Sequence, residues 1–178
     1  FSAAAILCIM SGLDKIKEIY ENHPKQMIRE DSVAQTHFAI SEVELAEVRD
    51  GAESLDTYGG VEGLVGLLKS NADTGLTAHE VENKERLEIF GKNEGANAAD
   101  KAKVFRDGKP NELPAPLLVV GDLVIGTDGD KLLADCIAIT DTIADGKDVS
   151  VGGFAKCGQT ITKEAKFIVI GVGKNLKA

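Results

Sequence analysis

Asp128-Gly129-Asp130 has the spacing of oxygen donors that opens a calcium loop, yet such a loop needs Gly at its sixth place and Glu at its twelfth. Leu133 and Ile139 stand there, so the tripeptide is expected to be a turn. Gly171-Val172-Gly173-Lys174 hints at a phosphate loop, but the first Gly of that pattern falls on Ile168 and Asn175 follows the Lys. His23, His37 and His79 are far apart, with no Cys or carboxylate at ligand spacing, so no metal site is expected. Cys8, Cys136 and Cys157 are odd in number and set among apolar or small residues, which fits buried thiols in a reducing compartment and not a disulfide framework. No Ser or Cys has a sequence context that activates a nucleophile. No cofactor is implied, and Glu80, Glu82 and Glu85 are expected to be solvated, offset by Lys84 and Arg86.

The elements that carry these residues fall into two kinds. Leu13, Ile16, Ile19 and Tyr20 recur at helical spacing behind Ser11, and Pro24 ends the run. Ser41 and Glu44 make a capping-box spacing that opens a helix toward Arg49, before the Asp50-Gly51 break. Val61, Leu64, Val65 and Leu68 give a third apolar face, ended by residues 71–75. Thr77 and Glu80 form another capping box, with Val81, Leu87 and Phe90 lining the helix behind it and Gly91 closing it. After a small-residue linker at 95–99 come short β-rich runs. Residues 103–106 and the stretch around Leu113 flank Asp107-Gly108, a hairpin signal. Residues 117–120, 123–125, 136–139, 149–151 and 167–172 are the other expected strands. The fold class is therefore α+β: a helical N-terminal part, then a small β barrel or jelly-roll-like module. The expected divisions are an extension at 1–36, a helical segment at 37–94 and a β domain at 103–173.

At 178 residues and 43% hydrophobic content the chain can bury a real core. A net charge of −9, with no Lys/Arg cluster, argues against a nucleic-acid partner. The longest apolar run, residues 3–10, is far short of a bilayer span, so no transmembrane segment is expected.

Two ordered blocks resemble plasma-membrane-type calcium ATPases of the P-type family. Tyr58-Gly59-Gly60-Val61-Glu62-Gly63-Leu64, then Leu68-Lys69, Gly75-Leu76, Glu85-Arg86 and Phe90-Gly91-Lys92-Asn93-Glu94, is similar to the segment preceding their first membrane helix. Val104-Phe105-Arg106-Asp107-Gly108, Leu118-Val119-Val120-Gly121-Asp122 and Gly129-Asp130 through Leu133-Ala134-Asp135 resemble the start of their actuator domain, with Leu133 where the family usually has Pro. The match continues more weakly over residues 153–173. The resemblance implies an actuator fold, and its departures bear on function. Only residues 95–102 join the two blocks, where the family inserts two membrane helices. Residues 148–158 read Asp-Val-Ser-Val-Gly-Gly-Phe-Ala-Lys-Cys-Gly, without the family's Thr-Gly-Glu, whose carboxylate positions the hydrolytic water. The phosphorylated Asp-Lys-Thr-Gly-Thr element is absent from the sequence too.

These departures imply a chain that is not an enzyme on its own. The expected role is an accessory or structural subunit of a larger assembly, membrane-associated through protein partners in a reducing compartment. The alternative is a cytosolic N-terminal and actuator fragment of a calcium-transporting pump. Phe1, Ile6, Leu7, Ile9 and Met10, apolar at an end otherwise expected to fray, are the expected partner-binding residues.

Overall fold

A computed structural model describes residues 37–178, which form one compact unit, His37–Ala178. The helix expected from Ser11, Cys8, His23 and the apolar residues Phe1 to Met10 lie outside the described residues. Helix α1 (Glu42–Asp50) begins at the capping box: Ser41 accepts from the Glu44 amide, and Glu44 accepts from the Ser41 amide in return. It ends at Gly51 and buries Leu45, Val48 and Arg49. Helix α2 (Gly60–Leu67) turns Leu64 and Val65 inward, with Leu68 buried at its end. A short α3 (Ala78–Val81) is followed by α4 (Lys84–Phe90).

The single helix expected behind Thr77 is thus two. Thr77 does cap, accepting from the Glu80 amide, but the Glu80 carboxylate has turned to Arg86 and His37 instead of closing the box. Asn83 then accepts from the Glu85 amide and starts the chain afresh as α4.

From residue 101 the chain is β. Strands β1 (Lys101–Arg106) and β2 (Lys109–Pro114) pair across Asp107-Gly108, both at positive φ, as the hairpin signal requires. Strands β3 (Leu123–Gly126), β4 (Asp135–Ala138), β7 (Phe154–Ala155) and β8 (Ala165–Gly171) complete a six-stranded antiparallel sheet in the order β2-β1-β3-β8-β4-β7. Strands β5 (Thr142–Ala144) and β6 (Lys147–Val149) form a separate hairpin. The sequence pattern signals neither β5 nor β7.

The α+β class holds, but the expected barrel or jelly roll does not. The sheet is open, because its edge strands cannot meet: β7 has only two residues, and β2 carries Pro110 and Pro114, which have no amide to donate. The strand expected at 117–120 is also missing. A 3-10 turn at Ala115–Leu117 leads through extended Leu118 into a turn closed by the Asp122 amide on the Val119 carbonyl, and side chains take other backbone groups. Asp122 accepts from the Val119 amide, Arg106 donates to the Leu117 carbonyl and Arg86 to that of Val120, leaving too little for a ladder.

The helices reach the sheet along the chain before α3. Leu76 bridges Arg106, Asp107 donates its amide to the Leu76 carbonyl, and the Asp107 carboxylate accepts from the Ala78 amide at the start of α3. Among the described residues, no helix is long and apolar enough to cross a membrane.

Candidate functional site

The polar residues of the two sequence blocks converge on the segment 117–122 and the turns around it. Arg106, at the end of β1, forms a two-pronged pair with the fully buried Asp122: Nε to Oδ1 at 2.8 Å and Nη2 to Oδ2 at 2.7 Å. Gly121, at φ +96°, lets Arg86 pass beside it, since a Cβ there would stand 2.6 Å from Arg86 Nη1. Ser70, beyond α2, donates to the Gly121 carbonyl at 2.6 Å.

Arg86 overturns the expectation of a solvated face. It is 0% exposed. Nη1 donates to the Val120 carbonyl at 2.7 Å, Nε to the Glu80 carbonyl at 3.0 Å, Nη2 to the Glu80 carboxylate at 2.8 Å, and the guanidinium lies 4.7 Å from the Phe38 ring centroid. Burial pulls Arg86 below its ordinary value, with Glu80 and Asp122 acting against that shift. Glu80 also takes His37 Nε2 at 2.7 Å. Burial disfavours its charge, but Arg86 and then His37 outweigh burial and hold the carboxyl below its usual range. His79 is exposed, 3.9 Å from Glu80.

Two further buried residues tie distant segments together. Asn93, in the Phe-Gly-Lys-Asn stretch, donates to the Ala115 and Leu133 carbonyls and accepts from the Gly173 amide. Asp135 accepts from the Cys157 and Lys177 amides. Asp130 is the turn residue expected: it accepts from the Thr127 amide, the Thr127 hydroxyl and Lys103. These bonds outweigh burial and keep its carboxyl below its usual range. Gly173-Lys174 belongs to a 3-10 turn after β8. Cys136 and Cys157 are both free, and burial pushes both thiols up, that of Cys136 strongly, which favours inert thiols. Among the described residues there is no group of three or more His, Cys, Asp or Glu placed to hold a metal ion.

The connection between β6 and β7, where the actuator loop is expected, is the turn Ser150-Val151-Gly152-Gly153. Asp141 accepts from the Val151 amide, and the Val151 side chain is 54% exposed. Val151 and Gly152 edge a cleft of about 520 Å³, with Val48, Ile137 and Phe154 on its apolar side and Glu53 and Asp56 on its acidic side. The expected partner-binding residues Phe1, Ile6, Leu7, Ile9 and Met10 lie outside the described residues. What sequence reasoning missed is the burial of Arg86, Asn93, Asp122 and Asp135. All four stand inside the two blocks that carry the resemblance, which was the available signal.

No curated protein sequence matches the chain. Among solved structures it is similar to a crystal structure of a zinc-transporting PIB-type ATPase, at 16% identity and a TM-score of 0.38, over 82% of this chain and 21% of that one. It is also similar to a second crystal structure of such an ATPase, at 16% identity and a TM-score of 0.39, over 96% of this chain and 27% of that one. The chain therefore spans about a quarter of the transporters' length. Residues 96–151, running from the linker through β1 to the β6–β7 turn, match the P-type ATPase actuator domain.

Proposed function

We propose that this chain is an actuator-type module that performs no chemistry itself and works as a structural or accessory part of a larger assembly. The observation that carries this is the β6–β7 turn at the end of the actuator-matched segment 96–151: Ser150-Val151-Gly152-Gly153 itself carries no carboxylate to position water. General-base assistance needs such a group within hydrogen-bond reach of the nucleophile. The chain incubated with labelled ATP is expected to incorporate no hydroxylamine-sensitive phosphate, and grafting Thr-Gly-Glu into the turn is expected not to change this. Stoichiometric incorporation would overturn the proposal.

Attachment through protein partners, at or beside a membrane, belongs to the same proposal. Phe1, Ile6, Leu7, Ile9 and Met10 supply the apolar contact. Deleting residues 1–10 is expected to release the protein from its assembly while the β sheet stays folded, and full co-migration of the truncated form would refute the anchoring role.

A second reading is a cytosolic fragment of a calcium-transporting P-type ATPase. It is favoured by the Phe90-Gly91-Lys92-Asn93-Glu94 stretch, and by an actuator domain being one part of a pump. A reading frame continuing past Ala178 into a phosphorylation motif would decide for it.

A further inference from the structure

Two asparagines cross-link the segment leaving α4 to the segment leaving β8, each reaching with its side chain for the backbone of the opposite segment. Asn93 Oδ1 accepts from the Gly173 amide at 3.0 Å. In return, Asn175 Nδ2 donates to the Phe90 carbonyl at 2.9 Å, satisfying one of the acceptors that the end of α4 leaves unpaired. Asn93 is 1% exposed, and its Nδ2 also serves the Ala115 carbonyl at 2.8 Å and that of Leu133 at 3.3 Å. One carboxamide thus joins the α4 exit to the β8 exit and to the turns that precede β3 and β4. The backbones are close enough to require glycine at 173, where φ is +54° and a Cβ would stand 2.3 Å from the Lys92 carbonyl. Asn175 lines a cleft of about 630 Å³ edged by Glu42, Glu88, Lys92, Glu94 and Lys174, so solvent reaches the pair from the Asn175 side while Asn93 stays buried.

We propose that this crossed asparagine pair is a clasp that makes residues 90–94 and 173–176 open and move as one body. A pull on either segment is then delivered to both, and through Asn93 to the turns ahead of β3 and β4. An amide is the side chain that fits Asn93's position, since it must donate and accept at once. Asp would keep the Gly173 contact but face two carbonyls with negative charge, and Ala would take the partner from three backbone groups, the buried Ala115 carbonyl among them.

Hydrogen exchange of the full chain tests the coupling. The wild type is expected to show one common opening free energy for amides in both segments. Asn175→Ala is expected to lower protection in residues 91–94 as well as 173–176, by about threefold to tenfold, the worth of one net hydrogen bond. Amides of Val124 and Ile168, inside β3 and β8, should keep their protection. Asn93→Ser should act the same way, and the double variant should lose little more than either single one, since a clasp once open cannot open again. If Asn175→Ala loosens only its own segment, or if protection falls evenly across the sheet, there is no clasp. Should Asn93→Ser fail to fold, Asn175→Ala alone decides between these outcomes. The measurement concerns this chain by itself, so its failure would leave the actuator proposal standing, and phosphorylation of the chain would leave the clasp standing.

Discussion

Arg86 is the residue on which the helical part and the sheet most visibly depend. Its guanidinium is buried, set over the Phe38 ring and bonded to Glu80 and to the Val120 carbonyl. Removing it leaves Glu80 with His37 alone and takes the donor from the Val120 and Glu80 carbonyls, so Arg86→Ala is expected to destabilise the chain by roughly 3 kcal/mol. Arg86→Lys should recover little, because one ammonium cannot reproduce three directed contacts at once. Thermal denaturation of both variants checks this, and a lysine variant as stable as wild type would contradict it. Glu80 makes a companion prediction in pH. Its folded-state value lies below the ordinary 4.5, so its contribution is fully present above pH 4.5 and fades as pH falls through the folded value. Glu80→Gln should therefore flatten the acid limb of a stability-against-pH curve below pH 4.5 relative to wild type. Glu42 has the opposite sign: burial outweighs Arg49 and raises its carboxyl, so acidification first relieves that group. None of this was legible from the acidic residues themselves. Glu80, Glu82, Glu85, Lys84 and Arg86 have the pattern of a solvated face, and only the break at Asn83 turns Arg86 inward.

At the scale of elements, helix starts and tight turns were legible because their causes are local. The Ser41 capping box and the Asp107-Gly108 hairpin depend on a few adjacent residues and formed as expected. Residues 117–120 were not legible as non-strand, because what prevents pairing there is supplied largely by Arg86 and Arg106 from elsewhere in the chain, with the neighbouring Asp122. Closure of the sheet was misjudged for a related reason, and the β2 edge explains it. Phe105 pairs with Pro110 and Lys101 with Pro114. Pairs in an antiparallel ladder alternate between bonded and non-bonded, and proline cannot donate, so both prolines occupy positions whose backbone faces away from β1. Of the outward positions 110, 112 and 114, only Glu112 keeps an amide. The edge is thereby closed to another strand. Replacing Pro110 and Pro114 together by Val is expected to leave the β1–β2 hairpin intact and to cause association at concentrations where the wild type does not associate. Sedimentation velocity over a concentration series reads this directly, and identical profiles would show that the prolines do not guard the edge.

Across the whole unit His37–Ala178, the change from helix to strand near residue 95 marks a change in secondary structure and not a boundary in bonding. Arg49 in α1 donates to the Ile170 carbonyl in β8 at 2.7 Å and also pairs with Glu42. Ser70 reaches Gly121, Arg86 reaches Val120, and Asn93 reaches Ala115, Leu133 and Gly173. If the helical part opened while the sheet stayed folded, buried carbonyls would lose donors at about 1–3 kcal/mol each, and the faces covered by Leu45, Leu64 and Phe90 would meet water. Partial unfolding along this line therefore costs much of what complete unfolding costs. Residues 37–94 and 101–178 are expected to unfold together, in a single denaturant transition. Far-UV circular dichroism follows the helices, and a fluorophore placed at exposed Lys109 on β2 follows the sheet; the two curves should coincide with one midpoint and one slope. A helical signal lost at lower denaturant than the sheet signal would instead show two independently stable parts. Arg49→Met sharpens the comparison: it removes the bond to Ile170, so it should move both curves equally if the unit is cooperative, and only the helical curve if it is not.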